Sequence, residues 1–409
     1  MPKQKILKFP AGFLWGSSTS AYQIEGGNEN DWSQWEKSED RISQLKNQGK
    51  NPGDYICGSA CDSYDLYEKD LDLSLELNNN AVKLGLEWSR LEPEAGQWNM
   101  EAVEHYRRVL QAAKKRNLKT FVCLWHWTNP LWLTAFGGWT DKKSVDYFQR
   151  YAQFVARELG GLVDYWITLN EPMAPIGFGY LRGNFPPARR GDLIGAYLAY
   201  RNLTRAHNAG YRAIHKILPR AKVGFISLTD FFEPANVFNP LDWLLIILAR
   251  YLHHRAFLNR VEKYLDFIGV NYYFHNRLSA WPPFKVNENR EINEMGWEIY
   301  PAGIYHVVKY MNRLNIPIFI TENGIADADD NQRAKFIIEH LRYIHQAISQ
   351  GAPVKGYFHW SLIDNFEWAH GWTQKFGLYA VDRQTFKRAA RPSAKVYAQI
   401  CKNNQVIVD

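Results

Sequence analysis

Two short strings in this chain put a carboxylate where a carboxylate is costly: Thr168-Leu169-Asn170-Glu171-Pro172 and Ile320-Thr321-Glu322-Asn323-Gly324. Each glutamate ends an apolar run that reads as a buried strand, Tyr165–Leu169 in the first case and Ile316–Thr321 in the second. A charge buried without a partner is unfavourable, so a glutamate at such a point asks for a use. Two carboxylates brought together by a fold can divide the cleavage of a glycosidic bond between them. One serves as acid and base, the other as nucleophile or as the base for water. The plainer alternative, for either residue singly, is a cap on the next element or a pair with a surface lysine.

Positioning two such residues requires a repeating framework, and the chain has one. Strand-like runs recur at Phe13–Ser18, Ala81–Trp88, Thr120–His126, Tyr165–Leu169, Lys222–Leu228, Phe267–Tyr272, Ile316–Thr321 and Val354–Trp360. Helical patterns stand between them: Val103, Tyr106, Leu110 and Ala113; Val145, Phe148, Ala152, Val155 and Leu159; Ile337, Leu341, Ile344 and Ile348. Alternation of this kind implies a parallel sheet, and eight repeats imply a closed (β/α)8 TIM barrel, an α/β fold. Such barrels gather chemistry at the C-terminal ends of their strands. Polar residues out of place in a strand fall at those ends: Gln23, Arg90, His126, Asn170 with Glu171, Asn271 with Tyr273, Glu322, and Trp360 followed by Glu367 and Trp368. The fifth run, ending near Ser227, offers no candidate.

Composition narrows the partners. No linker or low-complexity stretch divides the chain, so a single unit over residues 1–409 is expected. The net charge of +7 is spread through short basic groups such as Lys114-Lys115-Arg116 rather than one arm, which argues against a nucleic-acid partner. Cys57-x-x-x-Cys61 lacks the second ligand pair of a zinc site, and the four cysteines read as free thiols in a reducing compartment. No metal or cofactor is expected. No apolar leader precedes Phe13, and the longest apolar stretch, Leu241–Leu252, is too short to span a bilayer; the expectation is a cytoplasmic protein with no membrane partner. Sixteen tryptophans, several beside polar residues as in Trp125-His126-Trp127, suit a pocket that stacks sugar rings and grips their hydroxyls.

At this point the chain resembles glycoside hydrolase family 1, the β-glucosidase/β-galactosidase family, over essentially its whole length. The resemblance rests on four motifs in order: residues 13–27 (FLWGSSTSAYQIEGG), residues 168–172 (TLNEP), residues 318–326 (IFITENGIA) and residues 360–368 (WSLIDNFEW). It implies a retaining exo-β-glycosidase acting on a small-molecule β-glycoside or oligosaccharide. Glu322 would attack the anomeric carbon, and Glu171 would protonate the leaving oxygen and then activate water. Arg90 and the Tyr273 hydroxyl would hold Glu322 ionised, with Asn271 as further support; for Arg90 the alternative is an ion pair with Glu87 or Glu92. Gln23, His126, Trp127, Asn170, Glu367 and Trp368 would hold the sugar, Trp360 would be its stacking floor, and Trp297 would face the aglycone. For His126 the plain alternative is a core histidine.

The chain departs from the family in being short, most of the loss falling between Thr229 and Asp266. There the Leu-rich segment either leaves the aglycone side more open or buries a subunit contact, so a homo-oligomer stays an open expectation. Two competing readings are weaker. Members acting on 6-phosphorylated sugars typically carry Ser where this chain has Glu367, and inactive sugar-binding relatives usually lack a catalytic glutamate, whereas both are present here.

Overall fold

The computed structural model describes residues 5–287 and 291–408. Eight parallel strands follow one another round a closed barrel: β1 Leu14–Ser18, β2 Ala81–Gly85, β3 Lys119–Trp125, β4 Tyr165–Asn170, β5 Val223–Leu228, β6 Phe267–Asn271, β7 Ile318–Asn323 and β8 Val354–Trp360. Pairing of β8 with β1, from Gly356 against Leu14 to Trp360 against Ser18, closes the ring. The strands sit where the apolar runs predict them, with one difference of consequence. The second run was expected to extend to Trp88, but β2 stops at Gly85 and Trp88–Leu91 winds into a helical turn behind Glu87.

Side chains alternate across each strand with a period of two, and this sorts the core into two populations. Phe121, Cys123, Ile167, Ile226, Phe267, Phe319 and Phe358 fill the barrel interior, with Phe121 stacked on Tyr165 at 4.1 Å between ring centroids. Their neighbours Val122 and Leu124 join the outer core that the helices cover. The helices are α1 Ser63–Glu76, α2 Met100–Lys115, α3 Lys143–Leu159, α4 Leu193–Ile217, α5 Pro240–Arg250, α6 Ala302–Met311, α7 Arg333–Ser349 and α8 Pro392–Asn403. The predicted stripes are the buried ones: Val103, Tyr106, Leu110 and Ala113 on α2, and Phe148, Ala152, Val155 and Leu159 on α3. Helix α2 begins where Asn99 accepts hydrogen bonds from the Glu101 and Ala102 amides, as an N-cap should.

The station after β5 differs from the others. There the short helix Ala256–Val261 covers the barrel with Phe257, Leu258 and Val261, while α5 buries only Asp242 and Ile246. All four cysteines are buried with free thiols. Among the described residues no helix is long and apolar enough to cross a membrane.

Candidate active site

Both glutamates reach one pocket at the C-terminal rim, and local backbone geometry aims them there. Pro172 disfavours the right-handed helical region for the residue before it. That preference points to extended backbone, yet Glu171 leaves β4 with φ at +44°, in the left-handed region. Trp127 and Trp368 also have positive φ, at +77° and +48°. Residues with side chains adopt this region at a cost, and such conformations gather where the surroundings fix a side chain for use. On the β7 side the glycine of the second string has its own reason. A Cβ on Gly324 would lie 1.8 Å from the Trp360 carbonyl oxygen, so the ends of β7 and β8 approach only with glycine between them.

Glu322 is gripped from both sides. Its Oε1 is bonded to the ammonium of Lys83, and its Oε2 accepts a hydrogen bond from the Tyr273 hydroxyl at 2.9 Å. Lys83 is fully buried and donates a second bond, 2.9 Å, to Asn170 Oδ1. The expectation that Arg90 stands beside Glu322 is therefore corrected. Arg90 lies beyond the end of β2, on the helical turn Trp88–Leu91, and that turn carries its guanidinium away to Glu25, 2.9 Å from Nε. Neither Glu87 nor Glu92 is its ion-pair partner. Lys83 was missed, although it left a signal. It is a lysine within a strand of five residues, in phase with the barrel-facing Ala81 and out of phase with Val82, which packs against the helices.

Hydrogen bonds from Lys83 propagate to fix the pocket's other polar groups. Lysine only donates, so Asn170 must turn its oxygen to Lys83 and its NH₂ to His126 Nε2, 3.1 Å away. His126 Nε2 then accepts, which places the ring proton on Nδ1. Burial, with Lys83 adding to it, holds the imidazole well below its usual pKa, so the ring is neutral. Its Nδ1 is buried without a protein partner, and so is Glu367 Oε2; both residues line the pocket. Buried polar atoms are nearly always satisfied, so two orphans on one wall mark where a polar ligand is received. The carboxyl of Glu367 is pushed up to about 8, first by burial and then by the charge of Glu322.

Glu171 has a different setting from Glu322. Asn271 Nδ2 donates to its Oε1 at 2.5 Å, and Asn271 Oδ1 is held in turn by the Thr321 hydroxyl at 2.7 Å. No cation touches it among the described residues. Burial raises its pKa well above the ordinary carboxyl range, and the neighbouring Glu322 raises it further, against the smaller opposing effect of Asn271. The Tyr273 phenol is raised in the same way, by burial and then Glu322, so it stays a donor. One site thus holds two carboxyls in opposite settings, one against a cation and a hydroxyl donor, the other raised by burial and by its neighbour.

The walls are aromatic. Trp127, Trp297, Trp360 and Trp368 line the pocket with Phe178, Phe185 and Phe376. Trp127 and Trp368 pack at 4.7 Å, and the Trp127 indole donates to the Asn170 carbonyl at 3.0 Å. The expected Gln23 lies deeper. Its amide donates to the Phe366 carbonyl at 2.7 Å and to Asn365 Oδ1 at 3.0 Å, while its oxygen accepts from Ser20, so it braces the loop that presents Glu367. Asn170 and Asn271 likewise stand behind His126 and Glu171.

The likenesses to known proteins agree with this geometry. The family model for Glycosyl hydrolase family 1 matches residues 5–263 and 253–406. The chain is 32% identical to beta-glucosidase A of Thermotoga maritima, covering 98% of this chain and 99% of that protein. It is 30% identical to a beta-galactosidase of Sulfolobus acidocaldarius, covering 98% and 96%. The solved structure of a beta-glycosidase from Pyrococcus horikoshii superposes with a TM-score of 0.89 at 36% identity, over 98% of this chain and 96% of that one.

Proposed function

The chain belongs to glycosyl hydrolase family 1 and is a glycoside hydrolase, and we propose that it works as a retaining exo-β-glycosidase on small β-glycosides. Its preferred residue is a non-reducing terminal β-D-glucosyl unit, with β-D-galactosyl and β-D-fucosyl units also accepted. One observation carries the reading: Glu322 is clamped by Lys83 and Tyr273, while Glu171 in the same pocket has no cation beside it and is raised by burial and by Glu322. A retaining cleavage needs that division between nucleophile and acid.

In the first step Glu322 attacks the anomeric carbon, and Glu171 transfers its proton to the departing glycosidic oxygen. The covalent ester removes the negative charge from Glu322, which after burial was the largest cause of the high pKa of Glu171. Glu171 is then the better base, and it takes a proton from the water that releases the sugar. His126 Nδ1 donates to one sugar hydroxyl, and Glu367 accepts from others. Trp360 supplies the floor on which the ring stacks. Trp297, which packs on Phe274 at 4.4 Å between ring centroids, stands at the aglycone side. The beta-galactosidase relative supports a pocket that tolerates either orientation of the 4-hydroxyl.

The test is the anomer released. Proton NMR of an aryl β-glucoside digest is expected to show the β-anomer first, with the α-anomer growing only through mutarotation. An α-product at the earliest times would replace the covalent path with direct attack of water.

Lys83 has its own expected outcome. Lys83→Met leaves Glu322 buried without its cation, and removing one partner of such a pair costs about 3–5 kcal/mol. We expect kcat/KM to fall by roughly 10²–10³-fold. Lys83→Arg, which restores a cation, should recover much of the loss. Equal losses in both variants would assign Lys83 to packing alone.

A further inference from the structure

Helix α5 is built inside out. Eight of its eleven residues are apolar, yet Ile246 is the only apolar side chain it buries; the other buried residue is Asp242. A helix on a globular surface normally turns its apolar stripe to the core. Here Leu244 and Ile247 are 62% and 64% exposed, and Phe238, just before the helix, is 91% exposed. The arrangement is tethered at both ends. Asp242 accepts hydrogen bonds from the Asn236 and Ala280 amides, each at 2.9 Å, and Arg250 donates to the Phe232 carbonyl at 2.8 Å. The Asp242–Ala280 bond brings a second loop alongside, on which Trp281 and Phe284 are also exposed. Between α5 and α6 lies an open cavity of about 580 Å³, and Leu244, Ile247 and Leu248 form its α5 wall, so the exposed apolar surface runs from the outer side of the helix into this groove.

Charge identifies what this face suits. Residues 181–263, a span that also includes all of α4, hold thirteen Lys and Arg against five Asp and Glu, whereas the rest of the chain holds 36 against 37. Next to α5, the stretch from Arg250 to Lys263 carries four basic residues and one acid. Two of the five acids, Asp230 and Asp242, are buried. Arg182, Arg255 and Arg260 are exposed in this region. An apolar helix with aromatic residues and flanking basic side chains is the pattern of a segment that lies in a lipid interface. A second copy of the chain is the poorer occupant, because a twofold contact sets the same basic rim against itself.

We propose that α5 and the loop beside it dock this enzyme on an anionic lipid surface. Leu241–Leu252 is too short to span a bilayer, but lying on one asks for a single exposed face, so the earlier expectation of no membrane partner is revised. The docking face adjoins the catalytic mouth: Leu228 lines the catalytic pocket, and Thr229–Phe232 line the cavity between α5 and α6.

Flotation with phosphatidylcholine vesicles containing phosphatidylglycerol, against vesicles of phosphatidylcholine alone, tests the proposal on the full chain. Wild type should partition to the anionic vesicles, less so at high salt. Leu244→Glu and Ile247→Glu should each weaken partitioning by about tenfold or more, since each removes an apolar contact. Arg255→Ser and Arg260→Ser should each weaken it by about fivefold. These positions are outside the catalytic pocket, so unchanged hydrolysis of a soluble aryl β-glucoside certifies that the variants are folded. The proposal is overturned if wild type floats with neither vesicle, or if all variants float like wild type. It is equally overturned if light scattering shows a dimer that Leu244→Glu dissolves while vesicle binding stays absent.

Discussion

Glu322→Gly should reduce hydrolysis of aryl β-glucosides by about 10⁵-fold or more, the scale of loss when a covalent nucleophile is removed. Without the carboxylate the glycosyl ester cannot form. The hole left beside Lys83 and Tyr273 is a small anion site, already supplied with a cation and a hydroxyl donor. Azide should enter it and attack the anomeric carbon of a substrate with a good leaving group. The expected product is the α-glycosyl azide, identified by its anomeric coupling in proton NMR, and the restored rate should rise with azide concentration. Activity near that of wild type without azide, or a β-configured azide, would take the nucleophile's role from Glu322. Truncation leaves the buried Lys83 ammonium without its carboxylate, at a cost of about 3–5 kcal/mol, although its bond to Asn170 remains. A thermal melt of the variant, with and without azide, checks that it is folded.

Glu171→Ala is expected to separate leaving groups. For substrates whose departing oxygen needs a proton, loss of general-acid assistance should cost about 10²–10⁴-fold. For a 2,4-dinitrophenyl glycoside, which departs unaided, the first step should hardly slow. Steady-state turnover becomes limited by the second step, so a burst of phenolate is expected. The pH profile gives an independent reading. Burial and Glu322 raise the pKa of Glu171, so the acid form persists to higher pH than in an ordinary carboxyl and is lost as pH rises through that raised value. Wild-type kcat/KM should therefore fall on the basic side, and Glu171→Ala should abolish that limb. Equal slowing of both leaving groups with the limb intact would make the damage structural.

The strand positions, the barrel and the two glutamates at its rim were legible in the chain itself. Each depends on periodicity and turn chemistry within a few residues, and an apolar run such as Val354–Trp360 behaves alike wherever it is placed. The glycine of residues 320–324 and the proline after Glu171 were visible too, though their reasons were not. What the tertiary structure decided was partnership. Lys83 and Glu322 are 239 residues apart, and nothing local to either names the other. Arg90 looked the better cation because it stood near a strand end, yet β2 stopped three residues short of the expected Trp88, and the turn sent it to Glu25. The tautomer of His126 follows from Asn170, whose orientation follows from Lys83, a sequence of donors and acceptors drawn from three strands. Gln23 is held by Ser20, Asn365 and the Phe366 carbonyl, partners up to 343 residues away that nothing local to it names. The Leu-rich segment left open whether it widens the aglycone side or buries a subunit contact, and only its packing showed that most of the apolar side chains of α5 are exposed. Backbone preference acts within a few residues, whereas hydrogen-bond partners and exposure are set by closure of the barrel, which joins residues hundreds of positions apart at distances of a few ångströms.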